Sequence, residues 1–175
     1  EQVIRIFNIK KRNTAYKLLQ RLEKKKIISR IGKGKYLVVN AGVNDFETAN
    51  FISQPSYISF ESALSFYGIL SQFVYSITSA TINKTKRLVY KGKEFSFSHL
   101  NAPLFSGFEK NKNFLIALPE KALVDQLYLV SKGQRSIGFD ELDLTKINQK
   151  IFKNFCQRIK TNQFKKIIRK LKLFL

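Results

Sequence analysis

Apolar residues recur with a helical period near the start of the chain. The apolar positions of this pattern are Ala15, Leu18, Leu19 and Leu22. Their spacing of i, i+3, i+4 and i+7 places them on one face of a helix. We expect Asn13 to be the N-cap of this helix and the helix to run to about Lys26. A shorter apolar pattern in residues 1–9, followed by a basic polar break, predicts another helix before it.

Two β-prone runs follow these helices. Residues 27–31 and 36–39 are rich in isoleucine, leucine and valine, and Gly32-Lys33-Gly34-Lys35 joins them. Glycine permits the positive φ of a tight hairpin turn. Helix, turn, helix and hairpin in this order are typical of a winged helix-turn-helix, which we predict for residues 1–40. A winged helix usually has a further helix at its start, and the chain contains no methionine. We expect either that N-terminal residues including that helix are missing or that the second domain covers the exposed apolar face of residues 4–7.

Residues 41–175 predict a second domain of helices and strands. The expected helices are residues 46–53, 60–67, 119–129 and two amphipathic helices in 146–175, broken near Thr161-Asn162. The expected strands are residues 75–78, 87–90, 95–99 and 114–118. The predicted fold class is therefore α+β, with a winged helix-turn-helix followed by a mostly antiparallel sheet that is covered by helices.

In the last two helices, apolar residues form two stripes. The first stripe is Ile147, Ile151, Phe155 and Ile159, and the second is Phe164, Ile167, Ile168 and Leu171. In the helix that begins at Pro119, the expected buried stripe is Ala122, Leu123, Leu127 and Val130. We expect all three stripes to face the core and the lysines of the last two helices to face water. The alternative is that the basic face of these two helices extends a nucleic-acid-binding surface or meets an acidic surface of a partner protein.

Positive charge is concentrated at the two ends of the chain. Residues 1–40 hold twelve basic and two acidic residues, residues 41–145 hold ten of each, and residues 146–175 hold ten basic and no acidic residues. These numbers give the formal net charge of +20. Charge sorted by segment indicates a surface that meets a polyanion, and nucleic acid is the first candidate. A lysine-rich helix that only faces water is the alternative.

The geometry of the predicted helix suits DNA. A helix about 10–12 Å across fits the major groove, which is ~12 Å wide, and its N-terminal residues reach the base edges. We expect the tip of the hairpin to contact neighbouring phosphates, which gives affinity but little sequence information. The predicted DNA-binding residues are Lys11, Arg12, Asn13, Thr14, Lys17, Arg21, Arg30, Lys33 and Lys35.

Composition argues against metals, cofactors and membrane spans. One cysteine, Cys156, and one histidine, His99, cannot form a disulfide or a tetrahedral zinc site within one chain. The longest apolar run, residues 114–118, is much shorter than the ~20 residues that cross a bilayer, and no leader pattern opens the chain. Basic amphipathic helices also bind anionic membranes, but the apolar faces of these helices are better used inside the fold. We predict a cytoplasmic protein without cofactors.

Candidate catalytic residues have simpler explanations. Glu23-Lys24-Lys25 is the only triplet with the spacing of a common metal nuclease, and it lies in the predicted DNA-binding helix. His99 has no identifiable nucleophile or carboxylate partner. Glu120 at the start of a helix is explained by the helix dipole, and Lys121 with Asp125 by an exposed i,i+4 ion pair. We therefore predict that the protein is not an enzyme.

Four segments of the second domain have a distinctive sequence: PSYISFESALSFYG at 55–68, VYSITSAT at 74–81, HLNAPLFSGFE at 99–109 and IALPEKALVDQLYL at 116–129. In order and spacing, these segments resemble the AbiEi family of antitoxins, which belongs to the type IV toxin–antitoxin systems of bacteria and archaea. The likeness covers roughly residues 15–129, because the predicted winged helix is also similar to the N-terminal domain of the family. One departure is Tyr67, which stands where the family often has a histidine.

This resemblance implies a repressor that binds inverted repeats in double-stranded DNA upstream of its own operon. It also implies a C-terminal domain that counteracts a toxin resembling a nucleotidyltransferase, with or without direct contact. The alternative is a nucleic-acid-processing enzyme, such as a nuclease, that is targeted by its winged helix.

Overall fold

The structure is a computed structural model that describes residues 5–39, 42–72 and 74–171. Internal contacts divide the chain into two compact units, Glu1–Val43 and Asn44–Leu175. The first is called the small unit below and the second the large unit. The boundary that the sequence predicts lies between residues 40 and 41.

In the small unit, helix α1 spans Arg12–Lys24. Ala15 is buried and the other three residues of the predicted apolar face are half-buried, so that face is confirmed. The prediction of Asn13 as N-cap is wrong: Lys11 holds that position without a side-chain bond, and its carbonyl accepts from the backbone N–H of Thr14 and Ala15 at 3.1 and 3.3 Å. Arg12 is a better helix former than Asn13, which favours an earlier start. Of the predicted helix at 1–9, residues 1–4 lie outside the described residues, and Arg5 and Ile6 are helical.

A Schellman motif ends α1 and connects it to the hairpin. Ile27 N–H donates to Leu22 O at 3.0 Å, and Lys26 N–H donates to Glu23 O at 2.9 Å. Lys26 adopts φ 55°, the left-handed conformation that this motif requires after the C-cap. The helix therefore ends two residues before the predicted Lys26.

The hairpin pairs β1 (Ile28–Gly32) with β2 (Lys35–Val38) in antiparallel register, from Ile28 opposite Val38 to Gly32 opposite Lys35. Lys33 and Gly34 form the turn, and Gly34 has the positive φ, 70°, that glycine tolerates. The predicted hairpin is present, in a two-stranded sheet of its own.

Five helices of the large unit lie near their predicted positions. They are α2 (Asp45–Ile52), α3 (Phe60–Phe66), α4 (Pro119–Ser131), α5 (Gln149–Cys156) and α6 (Asn162–Leu171). The side chain of Asn44 caps α2 by accepting from Glu47 N–H at 2.8 Å. Pro119 occupies the first turn of α4, as predicted, and the break between α5 and α6 is confirmed.

The sheet of the large unit has six strands, β3 (Ser56–Ile58), β4 (Ile77–Thr81), β5 (Lys86–Tyr90), β6 (Lys93–His99), β7 (Phe108–Asn111) and β8 (Phe114–Ala117). Their spatial order is β5-β6-β4-β3-β8-β7. The β4–β6 and β3–β8 pairs are parallel and the other three are antiparallel. The fold class α+β is confirmed, but the sheet is mixed rather than mostly antiparallel. Strands β3 and β7 were not predicted, because β3 has only three residues and β7, Phe108–Asn111, has two charged residues and no β-prone run.

Helix α4 is the centre of this unit. It packs against α3, α5, α6 and β8, and every residue from Glu120 to Leu129 is buried. Of its predicted stripe, only Val130 is half-buried rather than buried. Within the described ranges, no helix combines the length and apolar character that a membrane span requires.

The two C-terminal helices turn most of their predicted stripes inward. Ile159, Phe164 and Leu171 are buried, whereas Ile151 is 38% exposed and Phe152 is buried instead. The predicted stripe assumed one helix that includes Ile147, but α5 begins only at Gln149. The buried face of α5 therefore does not follow the i+4 spacing from Ile147.

Candidate nucleic-acid interface

One side of α1 is polar, basic and exposed. At 3.6 residues per turn, Asn13, Lys17 and Arg21 lie on the side of the helix away from the inward-facing Ala15 and Leu22. All three are exposed. A helix that buries its apolar face within its own unit and presents cations outward has the arrangement that a major-groove helix needs.

Tyr16 and Gln20 also lie on this exposed face and were not predicted as contacts. Tyr16 is 62% exposed, and Gln20 is exposed one turn after it. Each lies three residues after Asn13 or Lys17, and this helical spacing predicts that they share the exposed face. A tyrosine hydroxyl and a glutamine amide both bond to phosphates or base edges.

The N-terminal turn of α1 adds to the positive potential. Lys11, Arg12 and Thr14 are exposed there, and Arg12 lies at the flank of the polar face, next to the apolar side. The first turn contains no acidic residue. The unpaired N–H groups and the helix dipole favour an anion at this end of the helix. The positive charges of Lys11 and Arg12 favour an anion at the same place.

The hairpin places its predicted residues unequally. Lys33 is exposed in the turn, and Arg30 is exposed on β1 with its Nε donating to Gly32 O at 3.3 Å. Lys35 is half-buried at the start of β2. Lys33 is therefore the hairpin residue best placed to meet a phosphate.

The residues that we considered and rejected as catalytic are held by structural contacts or lie on the surface. His99 is exposed on the last residue of β6, and its Nδ1 lies 3.1 Å from the carbonyl oxygens of Ile82 and Asn83. Glu23, Lys24 and Lys25 are exposed at the end of α1. In the described ranges, no group of three or more His, Cys, Asp or Glu side chains is arranged to hold a metal ion.

The expectation of an exposed Lys121–Asp125 ion pair is wrong, because the pair is buried. The side chains are only 4% and 2% exposed. Asp125 Oδ2 accepts from Tyr57 OH at 2.9 Å and from Ser59 Oγ at 2.8 Å, while Lys121 Nζ donates to Asp125 Oδ1 and, at 3.1 Å, to Tyr57 OH. The i,i+4 spacing predicts the pairing, but the burial comes from β3 and from the loop before α3. We call these four residues the buried network.

Burial is the largest influence on the acid groups of the buried network. It raises the pKa of the Asp125 carboxyl, against the opposing effects of the Lys121 ammonium and of the hydroxyls of Ser59 and Tyr57. Burial and the neighbouring carboxylate also raise the pKa of Tyr57, so that its hydroxyl remains a donor. Tyr57 stacks on Phe108 at 4.6 Å between ring centroids. A network whose groups are satisfied internally and shielded by aromatic rings has a structural role.

The segments that carry the family resemblance meet around α4. Glu61 of α3 pairs with Arg135 and accepts from Gln126 Nε2 at 3.0 Å. Glu120 is 6% exposed rather than a surface residue, and its Oε1 accepts from Asn148 N–H at 2.9 Å. These bonds connect α4 to α3 on one side and to the start of α5 on the other.

Tyr67, at the position where the AbiEi family often has a histidine, closes α3 against the sheet. Its hydroxyl donates to Ala117 O at 3.0 Å. Partial burial, with Glu109 and Glu120 nearby, raises the pKa of Tyr67 to about 12. The phenol therefore stays protonated at neutral pH and remains a hydrogen-bond donor to Ala117 O.

The exposed face of α1 and the tip of the hairpin thus form the candidate nucleic-acid interface. No protein-family model matches the chain, and no curated protein matches it either.

Proposed function

We propose that the protein binds double-stranded DNA through its small unit and represses its own operon at an inverted repeat. The observation that carries this proposal is the exposed basic face of α1, followed directly by a hairpin with Lys33 at its tip. The winged helix-turn-helix that the sequence predicts gives these two parts their roles, with α1 in the major groove and the hairpin on the phosphates.

We further propose that the large unit counteracts a toxin that resembles a nucleotidyltransferase. Support comes from the four segments that resemble the AbiEi antitoxins. Residues from the first and last of these segments form the buried network, so the segments belong to one core. In this proposal the protein acts in the cytoplasm as a binding protein and not as an enzyme.

Two measurements test the two halves of the proposal. Fluorescence anisotropy with duplexes from the region upstream of its own gene, against random duplexes of equal length, tests the DNA half. Survival of cells in which the neighbouring nucleotidyltransferase-like gene is induced, with and without this protein, tests the antitoxin half. Equal affinity for both kinds of duplex contradicts repression at an operator, and failure to rescue contradicts the antitoxin function.

Replacing Lys33 with alanine should make DNA binding less dependent on salt. Each neutralised phosphate contributes about −0.9 to the slope of log K against log salt concentration, so losing one contact should flatten the slope by nearly one unit. The measurement is a salt titration of anisotropy, with Lys84→Ala as a control because Lys84 is an exposed lysine of the large unit. An unchanged slope for Lys33→Ala would remove the hairpin tip from the interface.

Replacing Asn13 with alanine should reduce specificity more than affinity for random DNA. A side chain that bonds a base edge contributes ~1–3 kcal/mol of discrimination, whereas a phosphate contact weakens all sequences about equally. Arg12→Ala is the parallel variant at the flank of the same turn. Binding constants on operator and random duplexes check the prediction, and equal losses on both would assign these residues to the DNA backbone.

A further inference from the structure

The two C-terminal helices, α5 and α6, form an apolar groove. Helices α5 and α6 both pack against α4, and a cavity of about 460 Å³ is lined by residues of both helices and of the segment that joins them. Its floor is formed by apolar side chains that are buried or half-buried: Phe152, Cys156, Ile159, Phe164 and Ile168. Burial raises the pKa of the Cys156 thiol to about 12, in agreement with an apolar floor. We call this cavity the terminal groove.

The rim of the terminal groove is strongly basic. Four exposed cations line it, namely Lys153, Lys160, Lys165 and Arg169. In the part of the chain that the structure describes, none of the four has an ion-pair partner. No acidic residue occurs anywhere in 146–175. The groove therefore combines an apolar floor with a rim that attracts negative charge.

We propose that the terminal groove docks an acidic amphipathic helix of a partner protein. Such a helix places apolar side chains at i, i+3, i+4 and i+7 into an apolar groove, while its carboxylates face the cationic rim. Complementary charge accelerates association and selects the partner. This inference stands independently of the proposed DNA-binding function.

Other occupants fit the terminal groove less well. A second copy of the chain would bring the same cationic rim against a protein of net charge +20, which is repulsive. A bilayer would bind the cations, but the apolar residues form the floor between two helices rather than a protruding face. DNA would use the cations and leave the apolar floor uncovered.

The experiment uses the whole chain and a synthetic probe. The probe is a fluorescein-labelled peptide of about 18 residues, long enough to form a helix, with leucines on one face and glutamates elsewhere. A peptide of the same composition, scrambled so that the leucines are spread around the helix, is the control. We expect anisotropy near physiological salt to show binding of the amphipathic peptide at least about tenfold tighter than that of the scrambled peptide, because only one of them fills the floor.

Charge-reversal variants locate the binding. Lys153→Glu combined with Arg169→Glu reverses two rim cations, and Lys84→Glu combined with Arg87→Glu reverses two exposed cations far along the chain by the same total charge. All four side chains are exposed, so both variants should fold, which circular dichroism checks. We expect about a tenfold loss of peptide affinity or more for the rim variant and less than about twofold for the control.

Several outcomes would overturn the proposal. Equal binding of the scrambled peptide, or equal losses in both charge variants, would mean that net charge alone attracts the probe. Rim-dependent capture by phosphatidylserine vesicles, or by random duplex DNA, that exceeds peptide binding would assign the surface to a membrane or to nucleic acid. Binding that requires removal of residues 172–175 would mean that the end of this chain occupies the groove.

Discussion

Replacing Asp125 with alanine should destabilise the large unit more than any surface substitution. The change leaves the Lys121 ammonium without its carboxylate in a site where the side chain is 4% exposed. Removing one partner of a buried ion pair costs about 3–5 kcal/mol of unfolding free energy, a large fraction of the ~5–15 kcal/mol that holds a domain together. The measurement is the urea midpoint, read by circular dichroism.

Three further variants separate charge from hydrogen bonding in the buried network. Asp125→Asn retains an acceptor for Tyr57 and Ser59 and should destabilise less than Asp125→Ala. Lys121→Met combined with Asp125→Leu removes both charges, and should recover part of the loss, because apolar replacements of a buried pair are often neutral or stabilising. Lys84→Ala, at an exposed residue of the large unit, is the control and should leave the midpoint unchanged. If Asp125→Ala behaves like Lys84→Ala, the buried network does not stabilise the fold.

Reversing the charge of Lys17 and Lys33 together should abolish operator binding and preserve rescue from the toxin. Both side chains are exposed in the small unit, so the substitutions disturb no core. The loss should exceed about a hundredfold in affinity, since like-charge juxtaposition costs several kcal/mol and every tenfold is 1.4 kcal/mol. Anisotropy on operator duplexes measures the loss.

Cell survival provides the second readout for the same variant. The toxin is induced from a separate plasmid, and the protein is expressed from a foreign promoter so that its own regulation does not affect its amount. Lys84→Glu combined with Arg87→Glu serves as the control of equal charge. A variant that is folded, fails to bind the operator and also fails to rescue would show that the small unit takes part in neutralisation, against the division of functions that we propose.

The elements that sequence patterns predict well are those whose signals are local. The face of α1 repeats within three turns, and the hairpin turn depends on Gly34, whose φ of 70° few other residues tolerate. The strand β3 gives no comparable signal, since it has three residues and pairs with segments far away in sequence. The parallel partner of β3 is β8, which follows β4 to β7 in the chain. The direction of β8 relative to β3 therefore depends on the path of the whole intervening chain.

The candidate interface shows the same division. Exposure of Asn13, Lys17 and Arg21 follows from the helical period alone. Tyr16 is not predicted as a contact, because an aromatic residue in a helix usually packs in the core. In the structure its side chain is 62% exposed. The buried network was misjudged for a different reason. The groups that enclose Lys121 and Asp125 lie more than sixty residues earlier in the chain, and no pattern within α4 reveals them.

The burial of α4 on all sides limits where the large unit can be cut. Its residues from Glu120 to Leu129 are covered by the sheet and α3 on one side and by α5 and α6 on the other. A fragment that stops before Gln149 retains every segment that resembles the antitoxin family, yet it leaves an apolar helix surface open to water. Such exposed surface promotes aggregation. We therefore expect a truncation that isolates the family motifs to aggregate, and the junction at Val43 is the better place for exchanging modules between proteins.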